Sequence, residues 1–438
     1  MAPRAGQPEG ADYPRTVIHH PPGPQWRAMT VAIEDPGDLA AYLPAAGGHV
    51  WLRRGDGMIG IGEVARFEGG TAAEADGWWA DICGRIEQET ELPEVSGTGP
   101  VAFASFVFDP GHTGFRSVVI VPRLVIGRRK GQCWLTALGS ASGPSVGLPA
   151  PEPAPAAPVA SHPVAASLAR TEWEGIVTEA VSRIGTGQLD KVVLARGVTL
   201  AAEDPIDPRA LVRALADRYP TCWTYSVEGL VGASPEMLIR REGGLATSRV
   251  LAGTIRRNGG EELDLKLAHA LARSSKNLVE HELAVDSVAR ALEPFCSGMN
   301  VPDAPYVLEL PNVLHLASDV TAVVHPDVSV LRLAGELHPS AAVCGTPTPA
   351  ARETIAELEH LDRGRYSGPV GWLDSTGDGE FAIALRCGLI DAADRRRITI
   401  YAGCGIVAES DPAEEYAETE AKLLPMLEAL GAPIPEHH

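Results

Sequence analysis

Residues 367–422 constrain this chain most. They run SGPVGWLDSTGDGEFAIALRCGLI, then an Arg-rich turn, then ITIYAGCGIVAESDPAEEYAETEAK. Two apolar runs separated by Asp, Gly and Ser, with alternation in FAIALR, predict a β-hairpin. Residues 398–402 predict a strand, GCG a tight turn, and the residues after it a loop leading into a helix. Asp411 can cap that helix, and Pro412 suits its first turn. Glu415, Glu418 and Lys422 fall at i, i+3 and i+7, so they share one helix face. Acids in a first turn favour the helix dipole without any further role. Placed after a Gly-rich turn with free N–H groups, the same face can also hold a cation through carboxylates and an anion through amides and Lys422.

A chain of 438 residues accommodates one large domain or two to three ordinary ones. With 45% hydrophobic residues and a mean hydropathy near zero it is expected to bury a packed core. Its net charge of −20 argues against nucleic acid or an anionic membrane as a partner. An anionic ligand would need local cations or a metal against that field. Seven scattered cysteines without CxxC spacing fit free thiols in a reducing cytoplasm rather than a disulfide frame or a zinc site. No apolar run reaches the ~18 residues of a membrane span, and the N-terminus has no signal-like apolar core.

Residues 1–27 read as a poorly ordered, Pro/Gly-rich lead. Residues 28–145 read as strands with one weak helix, a pattern that predicts a mostly antiparallel sheet. Residues 146–165 (VGLPAPEPAPAAPVASHPVA) form a Pro/Ala-rich linker or insertion, and residues 166–430 a larger core. In that core LDKVVLARGVTL predicts a buried strand. Residues 261–292 predict one helix, with Leu278, Leu283, Val288 and Leu292 facing inward and Asn277, Glu280, His281 and Ala284 on the other side.

Several polar residues stand where a core is expected. Lys191 interrupts an apolar strand; it can snorkel from the strand end or be a buried amine able to act as a base. Glu236, between GASP and MLI, can be a solvated loop acid or a carboxyl held protonated by burial. Glu280 reads as a solvated helix residue when taken alone, His315 as a satisfied core histidine, and Arg386 as a strand-end partner for any carboxylate.

Taken in order, DKVVLAR, GASPEML, LAGTIRR, SSKNLVEHELAVDSV, LPNVLHLASDV, LHPSAAVCGTP, RGRYSGPVGW, GDGEFAIALRC and AGCGIVAESDPAEEYAETEAKL resemble the chorismate-utilising enzymes, related to anthranilate synthase component I. The match spans about residues 170–426; IGIGEVARF and GPVAFASFVFD extend it more loosely toward the N-terminus. The resemblance implies an α/β (α+β) fold: one large domain of two antiparallel sheets flanked by helices, with 146–165 as an insertion. It implies Mg²⁺ dependence, with Glu280 and Glu418 as ligands and Glu415 helping through water. It assigns Lys191 as the base that activates water and Glu236 as the acid that protonates a departing hydroxyl. Tyr366, Arg386, Gly403 and Lys422 would bind carboxylates, and Thr254, His315, Ala342 and Val343 would line the ring pocket. Within the family, Lys191 and Ala252 favour water over ammonia as nucleophile, so no amidotransferase subunit is expected. The pattern is that of isochorismate synthases, which serve siderophore, salicylate or menaquinone synthesis, acting as a monomer on chorismate. Salicylate synthase and a non-catalytic chorismate-binding paralogue are the alternatives. Asn277 departs from the pattern, since relatives often carry an acid there.

Overall fold

Short β-branched and aromatic runs separated by glycine turns pair into two large sheets, one of eleven strands and one of thirteen. The computed structural model describes residues 17–19, 26–140, 142–152, 155, 161–257, 260–309 and 313–433. Pairing among them is antiparallel, except that Trp26–Ala32 runs parallel to Ile86–Thr90. Both sheets draw on both ends of the chain. Val101–Ser105 pairs with Pro369–Asp374 in the eleven-stranded sheet, and Gly48–Arg53 with Trp223–Val227 in the thirteen-stranded one. The antiparallel sheets with flanking helices are those expected.

The sheets pack face to face. Trp51, Met58, Trp134, Tyr225 and Tyr401 from one sheet meet Phe103, Val370, Trp372 and Ala382 from the other in a single buried cluster. Phe103 and Val370 are fully buried, and each such side chain contributes about 1.5–3 kcal/mol. Helices Pro208–Arg218 and Pro412–Ala429 cover the outer face of the thirteen-stranded sheet. Helices Ala72–Cys83 and Val330–Leu337 cover the other. Among the described residues no helix is long and apolar enough to cross a membrane.

The chain passes from one sheet to the other at two adjacent corners. Strand Leu230–Ser234 belongs to the thirteen-stranded sheet and Met237–Glu242 to the eleven-stranded one, with Pro235 and Glu236 between them. Strand Gly379–Ile383 crosses back to Cys387–Ile390 through Ala384, Leu385 and Arg386. A strand that changes sheets must bend, and the backbone groups at the bend need new partners. Here the corners supply each other: the Ile383 amide donates to the Glu236 carbonyl at 3.0 Å, and the Ala233 amide to the Arg386 carbonyl at 3.2 Å. Arg386 takes a left-handed conformation, φ 49°, to make its turn.

Three expectations need correction. The helix 261–292 is two helices, Glu261–Arg273 and Ser275–Leu292. Ser274 breaks it by capping the second, its side chain accepting from the Asn277 amide at 3.3 Å, as serine does at helix starts. The inward row of that second helix includes Leu278, His281, Val285, Val288 and Leu292, while Leu283 is 58% exposed. Polarity had assigned His281 to the outer side, but it is buried, with Nδ1 3.1 Å from the Ala252 carbonyl and Nε2 2.9 Å from Ser318 Oγ. The Pro/Ala segment ends before 165, because Ser161–Ala166 joins the thirteen-stranded sheet beside Lys191–Ala202. Most of the lead 1–27 lies outside the described residues; within it, Val17–His19 pairs with Ala65–Gly69.

Gly371 lies in Pro369–Asp374, between two neighbouring strands. A Cβ there would stand 1.9 Å from the Glu380 carbonyl oxygen. Gly371→Ala is therefore expected to destabilise the fold by at least the ~1–3 kcal/mol of an overpacked core. A denaturant melt checks this; an unchanged midpoint would mean that the strands can separate at little cost.

Candidate functional site

Lys191 opens the long strand Lys191–Ala202. One edge of that strand start pairs with Gly345–Thr346 and the other with Arg397–Ile406. The GCG stretch is the end of that last strand rather than the tight turn expected for it. Its glycines serve close approach. A Cβ at Gly405 would lie 2.8 Å from Lys191 Cε, so the lysine side chain runs across the bare glycine. A Cβ at Gly403 would lie 2.7 Å from the Leu194 carbonyl and 3.2 Å from the Tyr366 hydroxyl. Cys404, between them, is buried at 1% exposure. Alternation along the strand thus turns both glycines to the face bearing Lys191 and Tyr366.

The next element is the helix Pro412–Ala429, capped as expected. Asp411 accepts from the amides of Ala413 at 2.9 Å and Glu414 at 3.0 Å. The face bearing Glu415, Glu418 and Lys422 meets the strand end. Lys422 Nζ donates to the Gly403 carbonyl at 2.8 Å and pairs with Glu418 Oε1 at 2.6 Å. Glu415 Oε1 accepts from the Ser410 hydroxyl at 2.6 Å. Arg196, buried in the Lys191 strand, docks the adjacent helix face: its Nε donates to Thr419 Oγ1 at 2.8 Å, it pairs with Glu420, and its guanidinium lies 4.4 Å from the Tyr416 ring centre. One arginine so fixes the carboxylate helix against the strand that carries Lys191.

Glu236 and Arg386 enter from the two sheet corners. Glu236 keeps part of its surface open, as a group in a cleft does, yet it is deep enough that burial pushes its carboxyl up to about 7. The charges of Arg386, Lys191 and Lys422 oppose that rise, so all three stand within electrostatic reach of it. Burial, with help from Arg386 and Lys422, pushes His315 down to about 4 and keeps it neutral, against the pull of Glu418. Burial would raise Glu418, but the charge and hydrogen bond of Lys422, with the charge of Arg386, hold its carboxylate below the usual range. Burial raises Glu415, and the charge on Glu418 adds to the rise. Tyr366 is buried, raised in pKa by that burial, and stacked on Tyr401 with ring centres 5.1 Å apart.

The structure thus brings Lys191, Glu236, His315, Tyr366, Arg386, Gly403, Glu415, Glu418 and Lys422 to one region where the two sheets meet. Ala342 and Val343 stand on the adjoining turn, whose Cys344 carbonyl accepts from the Val193 amide at 2.8 Å. Thr254 pairs with His315 through its strand, and Glu280 lies on the helix Ser275–Leu292; the side chains of both lie outside the described residues. Among the described residues no three His, Cys, Asp or Glu side chains converge on a cation position. The donor set fits a hard divalent ion nonetheless: the charge on Glu418 adds to the cost of ionising Glu415 in a partly dry site, a cost that a cation there would offset, and oxygen donors are what Mg²⁺ takes.

Three residues of this region carried no signal in the sequence reading. Arg196 sits inside an apolar run, and Glu359 and Arg363 follow a helix at ordinary i, i+4 spacing. All three are buried, and only their tertiary contacts separate them from structural charges.

A family model described as chorismate-binding enzyme matches residues 149–431. Isochorismate synthase MenF of Bacillus subtilis is 39% identical over 271 residues, 61% of this chain, and the match spans only 57% of that relative's length. Isochorismate synthase DhbC of the same organism is 39% identical over 272 residues, covering 59% of this chain and 68% of the relative. The structure of MenF, the menaquinone-specific isochorismate synthase from Escherichia coli, superposes with a TM-score of 0.79 at 26% identity, over 93% of this chain and 95% of that one. With the matched region holding the strand of Lys191, both sheet corners and the carboxylate helix, the chain belongs to the chorismate-binding enzymes.

Proposed function

We propose that this chain is an isochorismate synthase. It adds water at ring C2 of chorismate and expels the C4 hydroxyl, with both ring double bonds shifting: C1=C2 becomes C1=C6 and C5=C6 becomes C4=C5 as the C4–O bond breaks. The observation that carries the reading is Glu236: a carboxyl raised to about 7 by burial, with Arg386, Lys191 and Lys422 within electrostatic reach of it in an acidic chain. Such a group holds a proton near neutral pH and can deliver it to a leaving hydroxyl.

Lys191 is the partner base. It orients a water molecule over Gly405 and takes its proton as the C2–O bond forms, while Glu236 protonates the C4 oxygen as that bond breaks. The proton gained by Lys191 and the one lost by Glu236 balance, and the product is an isomer of the substrate. Arg386, Lys422, the Tyr366 hydroxyl and the backbone at Gly403 hold substrate carboxylates. Neutral His315, with Thr254, Ala342 and Val343, shapes the ring pocket without adding a charge to it. Enzymes of this family act with a metal ion; we propose Mg²⁺, held by Glu280 and Glu418 with Glu415 through water. When bound it supplies positive charge to the ring carboxylate and offsets the repulsion between a dianionic substrate and an acidic protein. With water as nucleophile the reaction needs no ammonia-supplying subunit, and a single chain holds every assigned residue. Free thiols on all seven cysteines suit the cytoplasm.

Purified protein incubated with chorismate is expected to form isochorismate only when Mg²⁺ is present, without release of pyruvate. Equal amounts of salicylate and pyruvate, resolved by chromatography, would overturn the assignment in favour of a salicylate synthase. No turnover would leave a binding protein. Lys191→Ala is expected to lose on the order of 10²–10⁴ in kcat with an unchanged melting curve; turnover like that of the parent would remove Lys191 as the base.

The pH profile tests Glu236. Its acid form must be present, and the protonated fraction falls as pH rises through about 7. In the free enzyme kcat/KM is therefore expected to decline above that value, tenfold per pH unit at the limit. Glu236→Gln should be slow and lack this limb. An unshifted limb in that variant would assign the titration to another group.

A further inference from the structure

The strand Lys191–Ala202 is paired with Arg397–Ile406 along nearly the whole of one edge. Its other edge is paired only at the ends: Lys191 and Val192 with Thr346 and Gly345, and residues 198–202 with Ser161–Ala166. Between these no strand among the described residues pairs with this edge, and its buried backbone groups need other partners. The Val193 amide donates to the Cys344 carbonyl, and Gly197 exchanges hydrogen bonds with Ser167. A buried ion pair supplies two more. Glu359 Oε2 accepts from the Ala195 amide at 2.9 Å, and Arg363 Nη2 donates to the Val193 carbonyl at 2.7 Å. The two side chains pair at 2.6 Å with only 2% and 3% of their surface exposed. Arg363 Nη1 donates to the Val343 carbonyl at 2.9 Å, and its guanidinium lies 4.2 Å from the Phe108 ring centre.

A buried ion pair is a poor source of net stability, because desolvating two charges offsets most of their attraction. What this one provides is geometry. The planar fork of Arg363 has donors at fixed angles, and they reach three points: the strand two residues past Lys191, the turn that bears Ala342 and Val343, and Glu359, which itself holds Ala195. The pair thus stands in for a missing strand and measures the distance between the proposed base and the proposed ring pocket.

We propose that Glu359 and Arg363 are positioning residues for the isomerisation, holding Lys191 at its working distance from the ring bound against Ala342 and Val343. This rests on the assignment of Lys191 as base. A base displaced by ~1 Å can cost on the order of 10²-fold in rate, whereas the carboxylate contacts of Arg386 and Lys422 lie on other elements and are untouched.

The test uses two variants that keep both charges and so retain the pair: Arg363→Lys, whose single ammonium cannot reach all three partners, and Glu359→Asp, whose carboxylate is retracted from Ala195. Each is assayed below its own melting transition, where circular dichroism shows it fully folded. The expected result is a fall in kcat of at least about tenfold, with KM for chorismate within about threefold of the parent and the alkaline limb of Glu236 unmoved. Unchanged kcat in both folded variants would overturn the proposal, as would a raised KM at constant kcat, which would make the pair part of the binding surface. Lys191→Ala separates this from the underlying reading. If that variant turns over like the parent, the assignment of the base fails; if it is inactive while Arg363→Lys and Glu359→Asp keep full kcat, only the positioning role fails.

Discussion

The exchange of backbone hydrogen bonds between the two sheet corners is the constraint on which the rest depends. Two strands leave one sheet for the other side by side, and the Glu236 and Arg386 carbonyls accept the amides of Ile383 and Ala233. That contact closes the two corners against each other. It also aims an acid and a guanidinium into the same cleft from opposite directions of the chain. The raised carboxyl of Glu236 follows from this placement, since the corner takes its solvent away faster than the nearby cations can compensate.

The surrounding charges make sense as a set. A chain with net charge −20 repels an anionic ligand at long range, yet at short range Lys191, Arg386 and Lys422 all act on Glu236. Lys422 does two things at once: it holds Glu418 ionised and ties the carboxylate helix to the Gly403 carbonyl. Arg196 anchors the neighbouring face of the same helix, so the helix cannot rotate without breaking a fully buried contact. Neutral His315 completes the balance, because another cation in the pocket would lower Glu236 toward its ordinary value. Each ionisation state is set by burial together with neighbours that the fold holds in place.

Much of this was legible in the residues because it is local. The capped helix with Glu415, Glu418 and Lys422 on one face follows from spacing and from Asp411-Pro412, and the structure forms it as read. The hairpin in residues 367–390 is equally local. What escaped was decided over long range. GCG reads as a turn by composition, but it is a strand whose glycines admit Lys191 and the Tyr366 hydroxyl from other strands. His281 reads as an exposed polar residue, but Ser318 and the Ala252 carbonyl, both on other elements, satisfy it in the interior. Ser274 splits a continuous helical pattern with one side-chain hydrogen bond. Glu359 and Arg363 carry no local mark, since their hydrogen bonds reach Val193 and Ala195 some 165 residues earlier in the chain, where no strand among the described residues pairs on that edge.

The central claim is that water, activated on the Lys191 side, becomes the new ring hydroxyl while the old one departs from the Glu236 side. Initial-rate turnover of chorismate in ¹⁸O-enriched water, read by mass spectrometry of the product, tests it most directly. The account predicts one solvent oxygen in each isochorismate formed, located on C2, and an unlabelled product from an unenriched control. Isochorismate that retained the original hydroxyl oxygen would contradict it, for then the hydroxyl would migrate within the substrate and neither a water-activating base nor a leaving-group acid would be required.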